Sequence, residues 1–366
     1  MEIILEFTLV CDLMMDVQGP IRPALYLASD LVAKGYAISI VSPIISSKVK
    51  RLLEDIGIKP INLGARLFAQ NAGLSILWFE TWAREAFLGL NSKLVNHKLN
   101  STINFSHTIA LLSKFWYLQG PTSTALRDME KDLTTTHKVI YRFLKPLIEK
   151  ADDKLVCDIN SKSMNIVANS KFCASMYRKW GITVKEIIYP PIDCRIFQPQ
   201  TSCPSSSYAL TYFGKETKFS VIKRIADKGV KIKAFGGKIP FIPKCLLSHP
   251  NIEFLGKIPT SELVNAYSNA LFTVFPFTHE PFGYIPIESM ACGSPVLTYN
   301  AQGPSENVIP KYTGWLSKDD DELVSKALTL WKEGYPSQMR ANCRKIASNF
   351  DKKFYVEKWL KLLQNT

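Results

Sequence analysis

Two carboxylates, Glu280 and Glu288, stand eight positions apart in the stretch FTHEPFGYIPIESMACGSPVLTY (residues 277–299), with Pro281, Gly283 and Pro286 between them. Two acids can work as an acid/base couple, and in a continuous helix this spacing would put both on one face. The prolines and the glycine forbid that helix before Pro286, whereas Pro286 suits the first helical position of PIESMAC, which Gly293 can cap. Glu280 is therefore expected on a loop after the strand LFTVFPF, and Glu288 in the first turn of the next helix. At the carboxyl edge of a parallel sheet such a strand, loop and helix start form an anion site, because free backbone N–H groups near Gly283 and Tyr284 point outward along the helix dipole. Each acid also has a plainer reading, Glu288 as a helix N-terminal stabiliser and Glu280 as a solvated loop acid. Spacing alone does not choose between them.

The elements that must position these acids follow from periodicity. The opening EIILEFTLV reads as a strand, DVQGP as a turn and IRPALYLASDLVAKG as an amphipathic helix ending at Gly35. YAISIVSP, SKVKRLLEDIG and IKPINLG continue a βαβα rhythm, which predicts a parallel sheet covered by helices. Residues 73–100 read as helical, STINFSHTIALL and SKFWYLQGP as strands running into loops, and LTTTHKVIYRFLKPLIEKA as a basic helix kinked or ended near Pro146. In that last helix Leu133, Val139, Ile140, Phe143, Leu144, Leu147 and Ile148 recur at a spacing that fits core packing, with membrane contact as the alternative. QPQTSCPSSS is the clearest linker, and a second α/β series begins after it with YALTYFG.

A chain of 366 residues fits two linked domains, and its 46% hydrophobic content argues for a folded protein. No apolar run approaches the ~20 residues of a membrane-spanning helix. The first residues carry acids where a signal peptide carries bases, so a cytoplasmic location is the expectation. The eight cysteines form no C-x2-C pair, which points to buried free thiols in place of a zinc site or disulfide framework. The net charge of +13, spread over both halves, favours an anionic partner such as nucleotide phosphates or an anionic membrane surface. No motif for nucleic-acid binding accompanies it.

The segment EPFGYIPIESMACGSPV closely resembles the E-x7-E signature of retaining glycosyltransferases of the GT-B fold, especially glycosyltransferase family 4. IVANSKFCASMYRKWG with IIYPPIDCRIF, and IEFLGKIPTSELVNAYSNALFTVFP, resemble further family segments, so that the likeness extends over most of the chain. The resemblance implies an α/β architecture of two facing Rossmann-like, doubly wound domains with a donor cleft between them. The expected division is an acceptor domain over 1–196, rejoined by a C-terminal crossing helix at about 348–366, a linker over 197–207 and a nucleotide-sugar domain over 208–347. It also implies that Glu280 contacts donor sugar hydroxyls, that Glu288 binds the ribose, and that backbone N–H groups of Phe282, Gly283 and Tyr284 hold the diphosphate. Lys257 and Ile258 would lie near the base, and Gly19 and Pro20 match the first loop that approaches the donor phosphates.

Glycosyl transfer needs cations where negative charge develops on the departing diphosphate. The family usually supplies an Arg and a Lys after the first strand of the second domain, and YFGKETKF offers Lys215 at the Arg position and Lys218 as the second cation, with Lys223 or Arg224 as substitutes. Lys is a point charge where Arg would be a bidentate fork. Where the family often has a His after a central strand of the first domain, FWYLQGP places Gln119, and His107 is a second acceptor-side candidate. The implied activity is retaining, metal-independent transfer of a sugar from a nucleotide-diphosphate donor, which serves as co-substrate with no cofactor, to an acceptor hydroxyl in glycan, glycolipid or lipid-linked oligosaccharide assembly. The absence of an Asp-x-Asp pair in a suitable loop agrees with a metal-free site. A peripheral position on the cytoplasmic membrane face would suit such an acceptor. The alternative is a catalytically weak nucleotide-sugar-binding or scaffolding paralogue.

Overall fold

The computed structural model describes residues 6–17, 19–68, 73–95, 101–130, 135–200, 204–205, 207–237 and 242–364. The chain divides into two compact units, residues 1–191 with 355–366, and residues 192–354.

The first unit opens with β1 (Glu6–Val10), α1 (Arg22–Ala33), β2 (Ala37–Ser42), α2 (Ser47–Asp55) and β3 (Lys59–Asn62). It continues through α3 (Leu74–Leu88), α4 (Leu90–Lys93), β4 (Thr102–Asn104), β5 (Ser113–Leu118), α5 (Thr122–Met129) and α6 (Thr135–Ser161). It closes with β6 (Ser163–Ala168), α7 (Lys171–Met176) and β7 (Glu186–Ile187). Its strands form one parallel sheet in the order β3-β2-β1-β4-β5-β6-β7. Burial on both faces explains the unbroken apolar runs of the central strands. Side-chain caps fix where helices begin: Ser46 Oγ accepts from the Val49 N–H at α2, and Ser170 Oγ from the Cys173 N–H at α7.

The second unit runs β8 (Ala209–Tyr212), α8 (Phe219–Asp227), β9 (Ile232–Phe235), α9 (Lys244–Leu247), β10 (Ile252–Gly256) and α10 (Thr260–Asn269). It then runs β11 (Thr273–Phe275), α11 (Tyr284–Ala291), β12 (Val296–Tyr299), α12 (Pro304–Asn307), β13 (Gly314–Ser317), α13 (Asp320–Glu333) and α14 (Gln338–Ala347). Its parallel sheet has the order β10-β9-β8-β11-β12-β13. The winding therefore reverses between β8 and β11, the point at which open α/β sheets leave a crevice at their carboxyl ends. A last helix, α15 (Lys352–Gln364), begins in this unit and belongs to the first from Tyr355 onward.

Several local expectations change. The division falls at residue 191, ahead of the Pro/Ser-rich linker, because residues 192–197 are tied to α14 and its end: Arg344 donates to the Cys194 and Phe197 carbonyls, and Asp351 accepts from the Cys194 N–H. Residues 201–203 and 206 of the expected linker lie outside the described residues. Helix α6 does not end near Pro146 but continues to Ser161; Pro146 lies on an exposed flank, where water can take the carbonyl its missing N–H leaves unpaired. Of the apolar residues expected to pack from this helix, Ile148 is buried while Val139, Ile140, Phe143 and Leu147 are exposed, and Leu133 lies outside the described residues. The buried face is a different stripe: Tyr141, Ile148, Ala151, Leu155 and Ile159 pack with Trp82 and Ala86 of α3. The stretch expected as one helix over 73–100 is two, broken at Gly89 in a left-handed conformation, with residues 96–100 outside the described residues. Cys157 and Cys245 are exposed thiols, not buried ones.

Trp359 of α15 is fully buried in the first unit, with Phe105, Phe115 and Tyr117 ring centroids at 5.7, 5.6 and 5.9 Å. Its indole N–H has no hydrogen-bond partner among the described residues. Trp359→Ala is expected to cost about 3–5 kcal/mol in urea unfolding, as large aromatic-to-Ala truncations do. Trp359→Phe keeps a ring and removes an unpaired buried donor, so its cost should be about 1 kcal/mol. Equal losses would show that ring packing is not what holds α15.

Candidate functional site

Three loops at the carboxyl ends of β8, β11 and β12 meet at the reversal point of the second sheet. Glu280 lies on the β11 loop, as expected from the prolines around it. Helix α11, however, starts at Tyr284, two residues ahead of Pro286. Pro286 is accommodated because the first-turn N–H groups of a helix have no intrahelical partner. Glu288 consequently sits past the first turn, and it is buried, with the Tyr267 hydroxyl 3.4 Å from its carboxylate. Its reading as a first-turn stabiliser is corrected: a carboxylate this far inside the helix is held by neighbouring side chains.

The loops are locked together by backbone groups. The Glu216 carbonyl accepts from the Thr278 N–H at 2.8 Å and from its hydroxyl at 3.2 Å, and the Lys218 N–H donates to the Pro276 carbonyl at 3.1 Å. Thr217 forms an antiparallel bridge with Phe277. On the other side the Glu280 N–H donates to Gln302 Oε1 at 2.6 Å, and the Gly303 N–H donates to the Glu280 carbonyl at 3.1 Å. A Cβ on Gly303 would run into the Pro281 carbonyl, so the approach of these two loops requires glycine. Gln302 takes a left-handed backbone conformation, φ 55°, uncommon for a residue with a side chain.

The Glu280 carboxylate turns back onto its own loop. Its Oε1 accepts from the N–H groups of Phe282 (3.3 Å) and Gly283 (3.1 Å) at the start of α11. Two of the three N–H groups expected to hold a diphosphate thus already carry an anion supplied by the protein. Burial and the neighbouring Glu216 carboxylate push Glu280 up to about 7, against the pull of those two N–H groups and of Lys215. Tyr212 is raised by burial first, and further by the charges of Glu216, Glu280 and Glu288.

The cations divide. Lys215 is exposed and has no ion pair among the described residues. Lys218, expected as the second phosphate cation, is committed elsewhere: its ammonium lies 2.9 Å from Asp320 and over the Tyr299 ring, and Tyr299 donates to the same carboxylate. The substitutes are also paired, Lys223 with Asp227 and Arg224 with Asp321. Lys257 and Ile258 follow β10 on the far side of β9, with the Lys257 side chain against Gly237.

In the first unit His107 and Gln119 come together, because β4 and β5 are neighbours and both residues follow their carboxyl ends. The Gln119 N–H donates to His107 Nε2 at 3.3 Å, the Tyr177 hydroxyl lies 3.1 Å from the same nitrogen, and the Gln119 amide donates to the Phe105 carbonyl. A ring nitrogen that accepts a backbone N–H carries no proton, so His107 is the neutral Nδ1–H tautomer. Burial lowers its pKa in agreement. Gly19 and Pro20 form a single 3-10 turn before α1, with Gly19 at φ 66° and Pro20 exposed.

Sequence reasoning missed Glu216, Gln302 and Asp12. Asp12 follows β1 and accepts from Trp78 Nε1 and the Thr108 hydroxyl at 3.0 and 2.8 Å, and from the His107 N–H at 2.9 Å. A lone Asp directly after the first strand was the available signal. Glu216 was visible between two lysines, but only the fold sets it beside Glu280.

The raised Glu280 has a signed consequence. Folded chain holds its proton to about pH 7 and unfolded chain only to about 4.5, so its contribution to stability is fully present below pH 4.5 and lost as pH rises through 7. Glu280→Gln should therefore match the wild type in thermal unfolding near pH 4.5 and exceed it by about 3 kcal/mol at pH 8. A difference independent of pH would remove the desolvated carboxylate from the account.

Residues 244–350 match the family described as Glycosyl transferases group 1. An uncharacterized glycosyltransferase of Methanocaldococcus jannaschii is 33% identical over 146 residues, 38% of this chain and 40% of the relative. The alpha-1,3/1,6-mannosyltransferase alg-2 of Neurospora crassa is 34% identical over 82 residues, 22% of this chain and 17% of the relative. The chain thus matches less than half the length of these curated relatives. Among solved structures, HepE of Anabaena in complex with UDP and glucose superposes with a TM-score of 0.68 at 15% identity, over 98% of this chain and 99% of that one. WaaG, a glycosyltransferase involved in lipopolysaccharide biosynthesis, gives 0.67 at 12% identity over 99% and 100% of the two chains. Residues 244–350 of the second unit thus resemble the group 1 glycosyl transferases, and the two parallel-sheet α/β units have the GT-B fold.

Proposed function

We propose that this protein is a retaining glycosyltransferase that moves a sugar from a nucleotide-diphosphate donor to an acceptor hydroxyl, in glycan, glycolipid or lipid-linked oligosaccharide assembly, without a metal ion. The observation that carries the reading is the convergence of Glu280, Lys215 and the start of α11 at the reversal point of the second sheet. The UDP and glucose held by HepE, and the lipopolysaccharide role of WaaG, support the donor and acceptor classes.

In this reading the second unit takes the donor. Its diphosphate displaces the Glu280 carboxylate from the Phe282 and Gly283 N–H groups, and Glu280 turns to the sugar hydroxyls. Lys215 and the start of α11 stabilise the charge that grows on the leaving phosphate as the C1–O bond breaks. Glu288 receives the ribose, and Lys257 with Ile258 the base. Among first-unit residues, Gly19 and Pro20 serve the donor phosphates, and His107 and Gln119 orient the acceptor. In a front-face transfer the leaving phosphate takes the acceptor proton, so neither Gln119 nor a neutral His107 needs to carry it. The protein works on the cytoplasmic membrane face.

One observation favours the alternative of a catalytically weak, nucleotide-sugar-binding paralogue: with Lys218 bound to Asp320, Lys215 is the cation without an ion pair, among the described residues of these loops, that faces Glu216 and Glu280. A panel of UDP-, GDP- and ADP-sugars separates the readings. For an enzyme, one of them raises the melting temperature at millimolar concentration and is hydrolysed or transferred. Glu280→Ala and Lys215→Ala then lower kcat/KM by about 100-fold, the scale for losing one transition-state contact. Lys218→Ala should change it less than about threefold, since its ammonium serves Asp320. Binding without turnover, unaffected by Glu280→Ala, would establish the paralogue instead.

A further inference from the structure

The loop after β8 places an acid where the proposed function calls for cations. Glu216 stands between Lys215 and Thr217, is half-buried, and its carboxylate has neither an ion pair nor a hydrogen bond among the described residues. A carboxylate partly withdrawn from water carries a desolvation cost that a partner would offset. Here no protein group offsets it.

The backbone fixes where this acid stands. Thr217 closes a turn, its hydroxyl donating to the Tyr212 carbonyl at 2.8 Å and accepting from the Gly214 N–H at 2.9 Å. Across the rim, the Glu216 carbonyl is held by the N–H and hydroxyl of Thr278, two residues before Glu280. The side chain folds back over Gly214: a Cβ there would run into the Tyr212 ring and lie 3.0 Å from Glu216 Oε1, so glycine leaves the carboxylate its place. After burial, the Glu216 charge is the largest influence raising Glu280. A structural role for the carboxylate does not account for this arrangement, since only the Glu216 backbone ties the loops together.

We propose that Glu216 determines which donor sugars this site accepts: acting with Glu280, it takes an uncharged, hydroxyl-bearing sugar and rejects a uronic acid. The inference rests on the donor reading above, in which Glu280 turns to the sugar hydroxyls. Carboxylates accept hydrogen bonds from hydroxyls, and such charge-assisted bonds are the strong ones. A carboxylate on the sugar donates nothing and brings a further negative charge into a partly dewatered site, where like charges repel more strongly than in water. The nearby cations do not offset it. Lys215 serves the diphosphate in that reading, and Lys218, Lys223 and Arg224 are paired with Asp320, Asp227 and Asp321.

Matched donors test it, with dissociation constants read by calorimetry on the full chain: UDP-glucose against UDP-glucuronate, GDP-mannose against GDP-mannuronate, and ADP-glucose against ADP-glucuronate. Each pair differs only at C6. For the nucleotide that binds, the uncharged member should bind at least about thirtyfold tighter. Glu216→Gln should narrow that ratio by about tenfold, by raising the affinity for the uronate, and Glu216→Lys should narrow it further. Glu216→Asp keeps the charge and should keep the ratio within about threefold of the wild type. The carboxylate has no partner to lose, so Glu216→Gln and Glu216→Asp should melt at the wild-type temperature. Equal affinities within each pair, or a Glu216→Gln protein that discriminates like the wild type, would overturn this inference and leave the donor reading standing. No binding of any member would overturn both.

Discussion

The site depends on a set of backbone hydrogen bonds between loops from three strands. Glu216, Thr217 and Lys218 bond to the segment 276–278, and Glu280 bonds to Gln302 and Gly303. Each bond satisfies a main-chain group that would otherwise sit unpaired near the buried sheet edge, where such groups are costly. The loops after β8, β11 and β12 are thereby one rigid rim. A carboxylate from the second and an amide from the third hold their places without a ligand, as preorganised electrostatic sites require, while Lys215 of the first stands exposed.

That rim brings unlike demands to one point. Glu280 is opposed by burial and by Glu216, and is drawn by two N–H groups at a helix start and by Lys215. The balance leaves it near neutral pH, where a small change in surroundings alters its charge. An approaching anion would compete for the same N–H groups, which the carboxylate already occupies. The commitment of Lys218 to Asp320 follows from the same geometry, since the turn that places Lys215 at the rim carries Lys218 to the start of α13.

In the first unit one helix carries two apolar stripes. The inner stripe of α6 fills the space beside α3, while its outer stripe remains outside. A helix apolar on both sides reads as buried by periodicity alone. Only the position of α3 and the first sheet decides which stripe is core. Pro146 fits the same division, because a proline in a long helix is tolerated where its orphaned carbonyl faces water.

The amino-acid sequence determined the alternation of strands and helices, the two α/β series, the loop position of Glu280 and the likeness to group 1 glycosyl transferases. These rest on local properties: unbroken apolar runs, Gly and Pro at turns, and a short motif whose spacing encodes a strand, loop and helix. The tertiary structure decided what sequence neighbours cannot. It set Glu216 beside Glu280 across 64 residues, Gln119 beside His107, Asp320 on Lys218, and α11 two residues ahead of its proline. Each of these is a choice among partners that are distant in the chain, and it is made by strand order and loop closure, which residue type and spacing do not contain.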